Sequence, residues 1–203
     1  MPTTLTPRKS PRQARAMATQ DAIVEAAAHI ITKGGLAAFN TNAVAERAGV
    51  SIGSLYQYFP NKDALMVALI ERSQRQQLAR VKAAVDMAGD ADLDSIVRML
   101  VRAAQQHHRD DPLLASAIDH EEARLPIADM LEGYLEQGGG ALGVLLESKL
   151  GDHPDLNLKR AMRTLPALAR AVGDAWANLS PPQLDIAEEE AVKAVLGYLR
   201  AAP

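Results

Sequence analysis

Apolar residues recur at intervals of three and four along most of the chain, with polar residues between them. This spacing places apolar side chains on one face of a helix, whereas a strand would need strict alternation. The clearest example precedes Lys33, where one face carries Ile23, Ala26, Ala27, Ile30 and Ile31. No segment shows a convincing period of two. The pattern therefore predicts an all-α fold.

Helix-breaking residues divide this pattern into about nine helices. Gly34-Gly35 ends the first, and a glycine in the left-handed conformation is expected there. Thr41 and Ser51 are expected to cap two short helices on either side of Gly49. The remaining helices are expected at residues 62–86, 92–109, 112–123, 126–150, 155–179 and 184–201.

Charge is distributed unevenly. Residues 1–62 contain seven Lys or Arg and three Asp or Glu, a net +4, whereas residues 63–203 contain fifteen and twenty-two, a net −7. A basic first third indicates contact with a polyanion.

The absence of cysteine excludes disulfides, thiolate metal ligands and a cysteine nucleophile. No apolar run approaches about 18 residues, and no apolar stretch follows the basic N-terminus, so we expect a cytoplasmic protein without membrane contact.

Residues 41–59 carry the pattern of a helix-turn-helix. Ala45, Gly49 and Leu55 supply the small residue at the helix crossing, the turn glycine and an apolar anchor. Leu55 and Phe59 are four residues apart and are expected to pack inward. In such proteins the second helix enters the DNA major groove, with its N-terminal residues at base edges. Those residues here are Ser51, Ile52, Gly53 and Ser54.

The string TNAVAERAGVSIGSLYQYFPNKDALMVAL resembles the DNA-binding region of the TetR family of transcriptional regulators. The resemblance runs from about Thr19 to Leu69. It implies an Ω-shaped homodimer that binds a pseudo-palindromic operator in double-stranded DNA, usually as a repressor that a small-molecule effector releases. The predicted regions are a disordered basic arm (1–12), a helix-turn-helix domain (13–62) and a larger helical domain for ligand binding and dimerisation (63–203).

Carried over by position, the resemblance implies DNA contacts from Thr41, Asn42, Ser51, Gly53, Ser54, Tyr56, Gln57, Tyr58 and Lys62. Hydroxyls and an ammonium suit phosphates, and the Gln57 amide suits adenine. Ile52 departs from the family, which often has a basic residue there, and it either meets a thymine methyl or packs on its own domain. Arg12 and Arg15 join the candidates because basic arms can enter minor grooves. The alternatives are helix caps, half-buried packing residues and solvated charges.

Histidines and acidic residues lie close together in the middle of the chain. Asp119, His120 and Glu121 are consecutive and fan around a helix, and the adjacent His107 and His108 are expected to diverge as well. We therefore expect no metal site and no cofactor. A chamber lined by apolar helices favours an apolar or amphiphilic effector. The candidate pocket residues are Met99, His120, Arg124, Tyr134, Met162 and Trp176.

The last two predicted helices fit the dimerisation pair of the family, which would form a four-helix bundle with its copy. The interface candidates are Leu165, Leu168, Ala169, Val172, Ala191, Val195 and Leu199. The alternative is that these residues pack in the chain's own core. Gly138–Gly140, inside a predicted helix, indicates a kink, a close helix approach or local looseness.

The leading hypothesis is a ligand-responsive DNA-binding repressor without enzymatic activity. An activator or a ligand-independent regulator remains an alternative, because the sign of regulation depends on where the operator lies. The spacing of the His/Asp/Glu cluster argues against a metal-assisted hydrolase. The basic first third argues against a helical module that binds only protein.

Overall fold

The computed structural model describes the backbone of residues 11–150 and 158–201, and the side chains of residues 13–149 and 159–201. Over these residues the secondary structure is helical without any strand, which confirms the predicted fold class. In chain order the helices are α1 (Pro11–Ala38), α2 (Thr41–Ala48), α3 (Ile52–Tyr58), α4 (Lys62–Met87), α5 (Leu93–Asp110), α6 (Pro112–Arg124), α7 (Ala128–Leu150), α8 (Leu158–Ala177) and α9 (Leu184–Ala201). No helix in the described ranges has the length and apolarity that a bilayer crossing requires.

The chain divides into two compact units, Met1–Leu69 and Ile70–Pro203. They are called the N-terminal and the C-terminal unit below. The sequence placed a domain boundary after residue 62, which assigns nearly all of α4 to the second domain. In the structure, the first two turns of α4 group with α1, α2 and α3, and the rest of this helix belongs to the C-terminal unit.

The N-terminal unit is held together by a continuous apolar core. Leu55 and Phe59 are 0% and 3% exposed, which confirms that α3 packs inward through these two residues. Other large side chains of this unit are also buried, namely Ile23, Ile31, Val44, Leu65 and Met66 from helices and Phe39 from the connection between α1 and α2. Between these two buried residues, Tyr56 and Gln57 are exposed and Tyr58 is half-buried.

Side-chain caps begin both short helices. Asn40 is the N-cap of α2, and its Oδ1 accepts the Ala43 N–H at 2.9 Å. The prediction that Thr41 is the cap was wrong, because Asn40 has the extended backbone of a cap and Thr41 is the first helical residue. Ser51 caps α3 as predicted, and its Oγ accepts the Ser54 N–H at 3.0 Å.

Two glycines with positive φ shape the N-terminal unit. Gly35 has φ 66° and ψ −174° and interrupts α1 near the predicted end, although helical turns continue to Ala38. Gly49 is left-handed, with φ 68° and ψ 28°, and its N–H bonds to the carbonyls of Ala45 and Glu46. L residues with a Cβ rarely adopt these conformations, so glycine is favoured at both positions.

In the C-terminal unit, α8 packs along α9 and α7, and α5 packs against α9. Five predicted interface residues lie in the resulting core and are at most 9% exposed, namely Leu165, Ala169, Ala191, Val195 and Leu199. A side chain that its own chain already buries has almost no surface left for a partner. Their burial supports the alternative, a place in the chain's own core, and their role in a dimer interface stays a prediction. Leu168 and Val172 are half-buried, and their interface role stays a prediction.

A close helix approach explains the middle glycine of Gly138–Gly140. A Cβ on Gly139 would collide with the carbonyl oxygen of Met162 on α8. A Cβ on Gly140 would meet nothing within 4 Å, and one on Gly138 would make ordinary contact with Leu78 at 3.9 Å. The backbone stays helical through all three residues, so Gly139 lets α7 and α8 approach closely.

Alanine substitutions at these neighbouring glycines are expected to have opposite effects. Gly139→Ala should lower the free energy of unfolding by about 1–3 kcal/mol, because the helix backbone opposite cannot move aside easily. Gly140→Ala should raise it by up to about 1 kcal/mol through helix propensity. Denaturant unfolding of both variants measures the two values. Equal effects of the two substitutions would contradict the close approach.

Candidate nucleic-acid interface and buried cavity

The start of α3 presents small polar residues to solvent. Ser51, Ile52 and Gly53 are exposed and Ser54 is half-buried. The Ser51 and Ser54 hydroxyls are 2.9 Å apart, so the two side chains stay close to the helix. A Cβ added at Gly53 would meet only the Ser51 Oγ, at 3.9 Å. Another large molecule can therefore approach the α3 backbone closely at this point.

A hydrogen bond joins the first residue of α2 to the middle of α3. The hydroxyl of Tyr56 lies 3.2 Å from the Thr41 Oγ1. Two of the four side chains that the resemblance assigned to phosphate contacts therefore lie together, with Tyr56 47% exposed. Asn42 and Gln57 are exposed nearby in sequence, and Tyr58 is half-buried.

Basic residues flank these helices in sequence. Lys62 is exposed at the start of α4, and its Nζ lies 4.9 Å from the centroid of the Phe39 ring. This cation–π contact restricts where the ammonium can lie. Arg15 is exposed on α1. The side chain of Arg12 lies outside the described residues, as do residues 1–10 of the predicted arm.

The C-terminal unit contains a cavity of about 140 Å³. Residues of α4, α5, α7, α8 and α9 line it, and most of them are leucine, valine, isoleucine or alanine. Seven residues with polar groups contribute to the lining, namely Gln74, Gln77, Gln105, His107, Tyr134, Arg170 and Asp174. A cavity of about 150 Å³ with an apolar lining is large enough to bind benzene. The space thus fits an apolar group, with polar groups available beside it.

Of the six predicted pocket residues, Tyr134 lines this cavity and the other five do not. His120 and Arg124 are exposed, and the Arg124 Nε donates to Glu121 at 2.8 Å. Met162 lies against Gly139 and Gly143, and Met99 packs against a small cluster of Ala88, Ile96 and Leu145. Trp176 is half-buried near the end of α8. Any part of these five in ligand binding stays a prediction.

A polar cluster adjoins the cavity where α5, α6 and α8 meet. The rings of His107 and His108 have centroids only 4.0 Å apart, so the expectation that these adjacent residues diverge was wrong. The Nε2 of His108 lies 3.3 Å from the Asp174 Oδ1 and 3.7 Å from the Asp119 Oδ2. Arg170 pairs with Glu122 on α6.

Burial alters the acidity of this cluster. It lowers the pKa of His107 to about 4, and the neighbouring His108 adds to this effect. Burial also raises the pKa of Asp119, and Asp174 raises it further. The sequence contained one signal for the arrangement, the Asp111-Pro112 break. In the structure, Asp111 is both the C-cap of α5 and the N-cap of α6. Such a short connection returns α6 directly alongside the last turns of α5.

An exposed second helix of a helix-turn-helix, followed by a helical unit with an internal cavity, defines a helix-turn-helix regulator. The model of the bacterial regulatory proteins of the tetR family matches residues 23–69. A second family model, that of the tetracyclin repressor-like C-terminal domain, matches residues 92–199, which is more than half of the chain. The chain therefore belongs to the TetR family, which confirms the resemblance and, because these are regulatory proteins, the expectation of a non-enzymatic protein.

Individual relatives match over different spans. The HTH-type transcriptional repressor KstR of Mycolicibacterium smegmatis is 38% identical over 102 residues, which is 47% of this chain and 46% of that protein. The chain thus spans about half the length of the curated relatives it matches.

Solved structures share the fold over nearly the whole chain. A TetR-family regulator from Mesorhizobium loti superposes with a TM-score of 0.70 at 17% identity, covering 92% of this chain and 97% of the other. FadR of Bacillus subtilis in complex with stearoyl-CoA superposes with a TM-score of 0.63 at 20% identity, covering 90% of this chain and 98% of the other. At these identities the likeness establishes the fold alone.

Proposed function

We propose that this protein is a DNA-binding transcriptional regulator that acts as a homodimeric repressor and is released from its operator by a small-molecule effector. The observation that carries the proposal is the exposed start of α3, where Gly53 leaves the backbone open and the linked Thr41 and Tyr56 hydroxyls lie alongside. The KstR relative carries the name of a transcriptional repressor.

The proposed contacts are of two kinds, namely contacts to phosphates that position the protein on DNA and contacts to base edges that recognise the sequence. Thr41, Tyr56 and Lys62 would bind phosphates and fix the register, with Tyr58 as a further donor. Gln57, Ile52 and the start of α3 would face base edges, and Ile52 could meet a thymine methyl group. The remaining proposed contacts are Asn42, Ser51, Gly53, Ser54, Arg12 and Arg15.

The proposed DNA contacts are tested by selecting bound sequences from random duplexes with the purified full chain. We expect a pseudo-palindrome whose half-sites lie about 34–36 Å apart, one helical turn. Tyr56→Phe, which removes one hydroxyl, should weaken binding to the selected site about 10-fold, as expected for loss of a charge-assisted hydrogen bond of roughly 1.5 kcal/mol. A control at Ser116→Ala, which removes an exposed hydroxyl on α6, should leave DNA affinity unchanged. Recovery of no sequence above background would contradict the proposal.

The proposed dimer interface uses the exposed faces of α8 and α9. Small residues recur there, with Ala167, Ala171 and Ala175 on α8 and Ala194 and Gly197 on α9 exposed or half-buried. Small side chains let helices approach closely, and a two-fold axis would pair each face with its copy. The half-buried Leu168 and Val172 would contribute apolar contacts beside them.

The proposed effector site is the cavity of the C-terminal unit. Its lining is mainly apolar, while Gln105, His107 and Arg170 provide polar groups. An amphiphilic molecule with a short acyl chain or another small apolar group fits this combination, and the fold neighbour from B. subtilis was solved with the larger stearoyl-CoA. Gln74, Gln77, Leu78 and Val81 of α4 line the cavity. A ligand that favours a different position of α4 would shift the population away from the DNA-binding state.

Filling the cavity is expected to block the effector response. Val81→Phe adds volume to the lining, so binding of a short-chain acyl-CoA probe should weaken at least about 10-fold, or ~1.4 kcal/mol. DNA bound by this variant should then resist release by the probe. Ala83→Phe is the matched control, because Ala83 is exposed on the same helix. Unchanged probe affinity in Val81→Phe would place the effector elsewhere.

A further inference from the structure

Beside the proposed effector cavity, the C-terminal unit contains a group of histidine and acidic side chains, of which His107 also lines the cavity. We propose that His107, His108 and Asp119 form a binding site for a divalent transition-metal ion where α5 meets α6. One donor atom from each of the three residues lies within 4.8 Å of the others. Around a tetrahedral ion with bonds of about 2.0 Å, donors stand roughly 3.3 Å apart. Modest side-chain rotations would close the remaining distance.

The histidines are positioned for ligation by the backbone around them. The Nδ1 of His107 lies 3.1 Å from the Ala104 carbonyl oxygen, so the Nδ1–H can donate there and leave Nε2 free for an ion. Histidine ligands are commonly oriented through such a bond from the second ring nitrogen. His108 is 2% exposed, and its Nε2 points at Asp119 and Asp174.

Arg170 and Asn178 hold the two carboxylates that face His108. The Asp119 Oδ2 and Asp174 Oδ1 face the His108 Nε2, whereas Arg170 lies 4.0 Å from the Asp119 Oδ1 and 3.5 Å from the Asp174 Oδ2. Asn178 also donates to the Asp119 Oδ2, at 3.0 Å. A carboxylate oxygen has lone pairs for both a donor and an ion. Arg170 thus orients Asp119 as a ligand and keeps Asp174 beside it as a candidate fourth ligand of the ion.

The charge balance of the cluster favours a dication. Asp119, Glu122 and Asp174 surround a single guanidinium, that of Arg170. Three carboxylates therefore share one guanidinium, which leaves an excess of acidic groups beside the two histidines. Uncompensated charge is costly away from water, and an M²⁺ ion would neutralise it. Two imidazoles and a carboxylate select zinc, cobalt, nickel or iron(II) over magnesium and calcium, which prefer oxygen ligands.

Cobalt(II) is the probe that tests the site, because its visible absorption reports nitrogen and oxygen ligation. The full chain, without a histidine tag and treated with chelator, should bind one Co²⁺ per subunit, displaced by Zn²⁺ but not by excess Mg²⁺. His107→Gln and Asp119→Asn should each lower the affinity at least ~10-fold, the smallest loss seen even for second-shell changes. His120→Gln is the matched control, an exposed histidine next to Asp119, and should bind as wild type.

Thermal unfolding provides the second measurement. Zn²⁺ should raise the Tm of the wild type and of His120→Gln, and leave His107→Gln and Asp119→Asn nearly unchanged. If a variant fails to fold, Zn²⁺ must perturb the imidazole NMR signals of two histidines in the wild-type chain. The proposal would be overturned if the wild type with Co²⁺ showed no visible absorption from nitrogen and oxygen ligation. It would also be overturned if His120→Gln lost Co²⁺ binding while His107→Gln and Asp119→Asn kept it. Because none of these readouts involves DNA, failure of the regulator proposal would leave the metal result intact.

Discussion

Gly53→Glu is expected to lower the affinity for operator DNA at least about 100-fold, or ~2.7 kcal/mol, without unfolding the protein. A side chain at this position meets open space within the chain, since the nearest atom to an added Cβ is the Ser51 Oγ at 3.9 Å. In the proposed complex the same side chain would stand between α3 and the groove. It would also bring a negative charge toward phosphates, and like-charge contacts at interfaces cost several kcal/mol.

Two variants at the same position separate bulk from charge. Gly53→Gln has nearly the same shape without the charge, so it should lose less affinity than Gly53→Glu, and the difference between them should shrink as salt is raised. Gly53→Ala should fold at least as well as the wild type, because alanine favours helix. Fluorescence anisotropy with the selected operator measures all three. Wild-type affinity in Gly53→Glu would show that α3 does not enter the groove.

Gly197→Arg is expected to weaken the proposed dimer at least about 100-fold while stabilising the isolated subunit slightly. A Cβ at Gly197 meets nothing within 4 Å in the single chain, and arginine favours helix over glycine by up to about 1 kcal/mol. Across a two-fold axis, however, each substitution appears twice, so two bulky like charges would oppose each other. Loss of the dimer should also remove most of the operator affinity, because two linked half-sites would then bind independently.

Gly197→Ala is the matched control and should remain dimeric. Sedimentation of both variants over a range of concentrations measures the association, and anisotropy with the same operator measures DNA binding. A fully dimeric Gly197→Arg protein would move the interface away from this face of α9.

Helix periodicity and breaking residues predicted most of the architecture. The last helix, expected at residues 184–201, occupies Leu184–Ala201, because Pro-Pro and a clear apolar period bound it. The cap of α2 was misplaced by one residue because Asn40 and Thr41 both have side chains suited to capping. The choice depends on the backbone, since Asn40 has φ −147° and ψ 153°.

Apolar periodicity also did not separate the core face of α8 from the face proposed for a dimer interface. Leu165 and Ala169 lie on the apolar face of α8 that packs in the chain's own core, while Ala167 and Ala171 lie on its exposed face. A helix that packs in its own core on one side and against a partner subunit on the other needs two packing faces. A pattern of small residues is a weak signal for the second of these faces.

The polar cluster was missed for a different reason. Spacing along a helix predicts where Cα–Cβ bonds point, but long side chains can rotate toward a shared neighbour. His107 and His108 do so, bringing their ring centroids within 4.0 Å of each other. Asp174 comes from α8, distant in sequence, so no local motif could place it in the same cluster.

The most direct test of the regulator is the affinity of the purified full chain for its selected operator and for a scrambled duplex of the same length, at moderate salt. The proposed function predicts binding to the operator at least about 1,000-fold tighter than to the scrambled duplex. It also predicts a steep fall in operator affinity with salt, as phosphate contacts require. Equal affinity for the two duplexes would contradict it.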